Sequence, residues 1–182
     1  MQNKNIIIIS NESVSEDSNN YFCDNLDIKS IPEGLSHSFN ISLIARKSKI
    51  IRNHSIQNIK VKLGKNLFSY IYEIFQSLKE KNRSKYLVIS ITPFTLVACV
   101  ILFLFKTKPI VYLRSDGYEE YKSIFGHMGT FIYHFMFTVA SLNSNFISCR
   151  KHILKKKYGI IVSPSHLTDP WLKNYTKANL DK

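Results

Sequence analysis

The tetrapeptide Arg114-Ser115-Asp116-Gly117 sets a cation, a hydroxyl and a carboxylate side by side, directly behind the apolar run Ile110 to Leu113. Such a short β-branched run reads as a buried strand, so the tetrapeptide falls at the carboxyl end of an inner strand. In open α/β sheets ligands bind outside those ends. An aspartate there can orient or deprotonate an acceptor hydroxyl, and an arginine can hold a phosphate or fix the aspartate. The same residues also have a purely architectural use. Arg114 and Asp116 can pair with each other, or Asp116 can cap a helix that opens with Tyr118, Glu119 and Glu120, where the helix dipole favours acids. The turns behind other strands add Asn11 and Glu12, Thr92 and Pro93, and Arg150.

These residues need elements to position them. Ile6 to Ile9 is a β-branched run followed by Ser10, Asn11 and Glu12, and reads as the first strand of a parallel sheet. Ile41 to Ala45 and Ile59 to Leu63 are further strands. Residues 65–81 carry Leu67, Ile71, Ile74, Phe75 and Leu78 at helical spacing. Tyr86 to Ile91 reads as a strand ended by Thr92-Pro93, Phe94 to Phe105 as an apolar helix, and Ile110 to Leu113 as the next strand. A long helical stretch runs from Tyr121 to Val139, with Gly126 and Gly129 as candidate breaks. Asn145 to Cys149 is a strand, Arg150 to Tyr158 a basic helix closed by Gly159, and Ile160 to Ser163 a last short strand. Strands alternating with helices predict an α/β fold: a Rossmann-like parallel sheet with helices on both faces. Residues 1–163 make that domain and residues 164–182 a linker.

The chain of 182 residues carries a net charge of +12, unevenly spread. Residues 1–28 are net −4, residues 29–85 net +9, residues 86–145 net +1 and residues 146–182 net +6. Two basic zones flank an apolar centre, a pattern suited to phosphate-bearing ligands, nucleic acid or an anionic membrane surface. In the second zone Arg150, Lys151, Lys155, Lys156 and Lys157 cluster. On a helix Lys151 and Lys155 share a face, beside an apolar edge of Ile153, Leu154 and Tyr158, which predicts contact with an anionic leaflet. A solvated face is the plainer reading of the same run.

Several chemistries lack their motifs. The cysteines Cys23, Cys99 and Cys149 are odd in number and far apart, which gives no disulfide framework and suits a reducing cytoplasm. No Cys or His spacing fits zinc, and the six histidines form no HExxH; His134 reads as a structural side chain on the long helix. There is no GxGxxG, P-loop or GxSxG. The aromatics follow core stripes rather than a base-stacking platform, so no nucleic acid is expected. The isoleucine run is too short for a signal peptide. Residues 86–105 and 128–149 lack formal charge, so a helical hairpin in a membrane is the rival architecture. Pro93, Ser90 and Thr92 argue against it.

The segments KNIIIIS, DNLDIKSIPEGLSH, SKYLVISITPFT, PIVYLRSDGYEEY, FISCRKHILKKKYG and VSPSHLTDPWLKN, in this order, resemble the N-terminal Rossmann-like half of a two-domain glycosyltransferase of the GT-B fold, nearest to the family 4 type. The resemblance covers about residues 4–175. It implies that this half holds a surface polysaccharide or lipid-linked sugar acceptor, while a C-terminal half binds the nucleotide-sugar donor. The sequence stops at Lys182, where that half would begin. The resemblance therefore implies a truncated product or one chain of a split enzyme, inactive alone, whose partner is a separate donor-domain chain. No metal or cofactor is expected in this chain, and its expected place is the cytoplasm, peripheral to the inner face of the membrane. Two departures stand out. The turn after the first strand lacks glycine, and Arg114-Ser115-Asp116 replaces the histidine many members carry. Asp116 then stands as the catalytic residue only by position, with Arg114, Ser115, Asn11, Glu12 and Thr92 on the acceptor side.

Overall fold

The computed structural model describes residues 5–18 and 20–162. The expected linker 164–182 and the end of the last expected strand lie outside the described residues.

Alternating burial sets the sheet. In β1 (Asn5–Asp17), Ile7 and Ile9 face one side and Ile8 the other, and all three are buried. A fully buried isoleucine contributes about 1.5–3 kcal/mol over an exposed one. Two-sided burial of this kind is what a parallel sheet between helical layers requires. The strands β3 (Asn40–Lys47), β5 (Lys60–Gly64), β6 (Ser84–Ile89), β7 (Ile110–Leu113), β8 (Asn145–Ser148) and β9 (Gly159–Ile161) join β1 in the parallel order β5-β3-β1-β6-β7-β8-β9. The fold is thus α/β and Rossmann-like, and the direction of strand addition reverses between β1 and β6. Residues 86–105, readable as one membrane span, divide into strand and helix. Among the described residues no helix is long and apolar enough to cross a membrane.

β1 continues well past Ile9. Its register with β3 shifts between Ile9 and Ser13, and beyond that bulge the strand pairs antiparallel with β2 (Asn20–Cys23), which pairs with β4 (His54–Ile56). Neither β2 nor β4 is apparent from sequence, because each is too short to show a period.

Among the described residues four helices cover the sheet. α1 (Leu26–Ser36) buries Ile28 and Pro32 on one face, and sequence periodicity does not reveal it, since Pro32 and Gly34 interrupt the pattern. α2 (Leu67–Ser77), α3 (Pro93–Leu104) and α4 (Gly117–Ser141) cover the other face. α2 is capped reciprocally by Asn66 and Ser69, and α3 by Thr92 and Thr95 with Pro93 in its first turn. α4 breaks at Gly126, whose φ of 63° lies in the left-handed region open to glycine. Its two arms, 117–125 and 127–141, fold back on each other. The Tyr118 and Tyr133 rings meet edge-on at 4.8 Å, and the Tyr118 hydroxyl lies 3.0 Å from His134 Nδ1. Gly129 does not break the helix. It sits where the arms cross, and a Cβ there would collide with the Tyr121 carbonyl.

The expected basic helix from Arg150 to Tyr158 is not formed. Only Lys151–Leu154 makes a 3-10 turn, and positive φ values of 44° at Lys155 and 70° at Lys156 end it. Ile153 and Leu154 are 3% and 5% exposed and belong to the core, so of the expected apolar edge only Tyr158 faces solvent. Burying these two side chains fixes the turn, and the lysines point where the chain then leads them. The facial pairing of Lys151 with Lys155 is lost with the helix.

Candidate functional site

The reversal between β1 and β6 opens a crevice at the carboxyl ends of the strands, as in other doubly wound sheets. The expected turn at Ser10-Asn11-Glu12 is instead a bulge inside β1, between Ile9 and Ser13, where the Glu12 amide donates to Ser10 Oγ at 3.1 Å. The buried Tyr70 hydroxyl donates to the Ser10 carbonyl at 3.1 Å from below. Arg46 Nε donates to the Asn11 carbonyl at 2.7 Å, and its guanidinium stacks 5.1 Å above the Phe94 ring. The bulge is therefore held on both sides. Asn11 Oδ1 is enclosed with no hydrogen-bond partner among the described residues, an expensive state for a buried amide oxygen.

Arg114, behind β7, reaches across the end of β6. Its Nη1 donates to Asp27 Oδ2 at 3.3 Å and its Nη2 lies 3.8 Å from Glu12 Oε1. Asn25 completes the cluster: its Nδ2 donates to Glu12 Oε1 at 2.8 Å, while its Oδ1 accepts the Asp27 amide and caps α1. One cation thus bridges a carboxylate at the bulge of β1 and a carboxylate in the first turn of α1. The Cys149 thiol donates to the Arg114 carbonyl at 3.0 Å and steadies the backbone beneath.

Asp116 does not pair with Arg114. Its Oδ1 accepts the Tyr118 amide at 3.0 Å and caps α4, and its Oδ2 accepts from Lys155 Nζ at 3.2 Å, with His152 Nε2 at 3.9 Å. Lys155 also lies 5.0 Å over the Tyr118 ring. The helix-capping use of this aspartate is the one realised. Thr92 is likewise engaged, since its hydroxyl accepts from the Thr95 amide at 3.4 Å.

Of the residues singled out from sequence, Asn11, Glu12 and Arg114 come together at the crevice. Thr92, Arg114 and Ser115 line a small recess of about 40 Å³ with Glu120 and Tyr133, enough for one water or one hydroxyl. Burial, with Asp116 nearby, pushes the Tyr133 phenol well above its ordinary range, so it stays a donor at neutral pH. Arg150, Lys151, Lys156 and Lys157 stand apart from the crevice on the exposed turn before β9. No family model, curated protein or solved structure matches the chain. The reading of the site rests on its own geometry.

Asn25, Asp27, Arg46 and Tyr70 were missed from sequence. The pair Asn25 and Asp27 did carry a signal, a helix cap followed by a first-turn acid. Arg46 and Tyr70 gave none, because only the fold brings them to the bulge of β1. The cysteines offer no nucleophile in the core. Burial pushes the Cys23 thiol up to about 11 and the Cys99 thiol up to about 12, so both are protonated at neutral pH. Among the described residues no group of three or more His, Cys, Asp or Glu is placed to hold a metal ion.

Proposed function

We propose that the chain is the acceptor-binding half of a glycosyltransferase, working with a separate domain or chain that holds the nucleotide-sugar donor. The observation that carries this reading is the Arg114 bridge between Glu12 and Asp27 at the point where strand order reverses. It presents fixed carboxylates, partly open to solvent, where an open α/β sheet takes its ligand. In the transfer, the acceptor oxygen forms a bond to the sugar carbon as the bond to the nucleotide diphosphate breaks, and the acceptor proton passes to a carboxylate. Glu12 is better suited to that task than Asp116. The Glu12 side chain is 41% exposed at the crevice, whereas the Asp116 carboxylate is committed to a helix cap and a lysine. Arg114 fixes Glu12 in place, and the enclosed, unpartnered Asn11 Oδ1 lies next to it in sequence.

The test is an amide NMR titration of the chain with short oligosaccharides and, separately, with common nucleotide-sugars. The oligosaccharides should shift the Asn11, Glu12, Arg114 and Ser115 amides, and Glu12→Gln should weaken those shifts. The nucleotide-sugars should bind no tighter than about millimolar, roughly −4 kcal/mol. Micromolar affinity for a nucleotide-sugar, or oligosaccharide shifts confined to another face, would overturn the proposal.

A further inference from the structure

At the opposite end of the sheet, where β6 begins and β7 follows α3, there is a pocket of about 290 Å³. Lys81, Lys85, Lys106 and Lys108 line it, together with Ser84 and Phe105, and among the described residues no carboxylate does. Glu80, next in sequence to Lys81, instead accepts from Asn5 Nδ2 at 3.4 Å. Four ammonium groups around one cavity repel each other unless an anion lies between them. The second sign is Ser84. It is only 7% exposed, yet its hydroxyl has no hydrogen-bond partner among the described residues. A buried hydroxyl left unpaired is costly, and here it belongs to the wall of a cationic pocket.

The surroundings of the pocket narrow the choice of anion. Lys81 Nζ donates to the Phe105 carbonyl at 3.3 Å and lies 5.9 Å over the Phe105 ring. That ring meets Phe75 of α2 edge-on at 5.7 Å. Phe75, Phe103, Leu104 and Phe105 are 44%, 49%, 69% and 41% exposed, so the ends of α2 and α3 present an apolar ridge beside the lysines. A free phosphate or a nucleic acid backbone gains nothing from such a ridge. A phospholipid has use for both, with its phosphate among ammonium groups and its acyl chains against apolar side chains.

We propose that this pocket binds the phosphate of an anionic phospholipid, with the ridge of Phe75, Phe103, Leu104 and Phe105 set against the acyl region. The site is separate from the crevice at the other end of the sheet and does not depend on sugar transfer. The Lys155-Lys156-Lys157 run, beside the exposed Tyr158, Ile160 and Ile161, is a second basic surface with apolar neighbours, and the vesicle assay distinguishes the two.

The full chain is sedimented with vesicles of phosphatidylcholine, with and without phosphatidylglycerol. Binding is expected only with the anionic lipid. At about 1 kcal/mol per cation near the surface, Lys85→Gln with Lys108→Gln should weaken it about 30-fold, roughly 2 kcal/mol. Phe103→Ser with Leu104→Ser should weaken it as well, while Lys155→Gln with Lys156→Gln and Lys157→Gln should change it less than the Lys85 and Lys108 pair. Ser84→Ala separates binding from folding: it should leave the melting temperature unchanged or raised, yet lower vesicle binding. Inorganic phosphate and single-stranded DNA serve as competitors. If either competes while the ridge variant binds vesicles like the parent, the site is a general anion pocket and the lipid assignment is overturned. It is equally overturned if the Lys85 and Lys108 variant sediments like the parent.

Discussion

Lys155 Nζ and Asp116 Oδ2 meet at 3.2 Å and tie the turn after β8 to the first residue of the α4 cap. The contact joins the most basic segment of the chain to the carboxylate that looked most catalytic in the sequence. Asp116 is thereby a fixed structural charge, and this shapes the first prediction. Asp116→Ala should cost about 1 kcal/mol, as loss of an N-cap does, whereas Asp116→Asn retains the cap and should cost less. Urea denaturation of the two variants checks this. Equal losses would mean that the pairing with Lys155, not the cap, dominates.

Arg114→Gln removes the bridge between Glu12 and Asp27. The pairs are partly exposed, so the stability loss should stay within about 1 kcal/mol. Oligosaccharide-induced shifts at Glu12 should nevertheless fall sharply in the same NMR titration. A large stability loss with unchanged saccharide shifts would make Arg114 a structural cation only.

Two glycines predict opposite signs. Gly34 lies in α1 with nothing near a prospective Cβ, so Gly34→Ala should stabilise by roughly 0.5–1 kcal/mol. Gly129→Ala drives a methyl group into the Tyr121 backbone and should destabilise by about 1–3 kcal/mol. Calorimetric melting temperatures compare them directly.

Thiol chemistry reports the core. Cys23 and Cys99 are buried and Cys149 is partly open, so a thiol-reactive dye should label Cys149 first and the other two only on unfolding. Mass spectrometry of partly labelled protein assigns the order. Early labelling of Cys23 would show that β2 opens locally.

The same burial gives a pH dependence. The Cys23 pKa is raised from 9.0 to about 11 in the folded chain. The unfolded thiol ionises first, so this contribution is fully present below about pH 9 and is lost as pH rises towards about 11. Urea midpoints should fall over that window, and the fall should be smaller in Cys23→Ala.

The parallel strands were legible because two-sided burial writes itself as β-branched runs, as in Ile6 to Ile9 and Ile110 to Leu113. The helices α2, α3 and α4 showed through apolar period, proline and glycine. What stayed hidden depends on partners distant in sequence. β2 and β4 exist only because β1 bulges after Ile9 and offers them an edge. The basic helix failed because Ile153 and Leu154 were needed in the core, a demand no local pattern records. At the crevice Arg114 was foreseeable from the end of β7, whereas Asn11 and Glu12, expected in a turn, sit at a bulge within the longer β1. Asp27 and Arg46 arrive from elements whose placement only the assembled sheet decides.

Gly126 has a consequence of scale. At 1.5 Å per residue, the 25 residues of α4 laid straight would measure about 38 Å, more than the roughly 30 Å of hydrocarbon in a bilayer. Bent back at one left-handed residue, they become arms of about 14 and 22 Å. Neither arm reaches across a bilayer; Tyr133, Met136, Phe137 and Ala140 are buried, while Ile124, Phe125, Met128, Phe131 and Phe135 stay more than half exposed. A single backbone angle thus decides whether Tyr118 and Tyr133 meet within the chain or lie apart on one extended helix. Replacing Gly126 with a β-branched residue would set the cost of that angle against the cost of straightening.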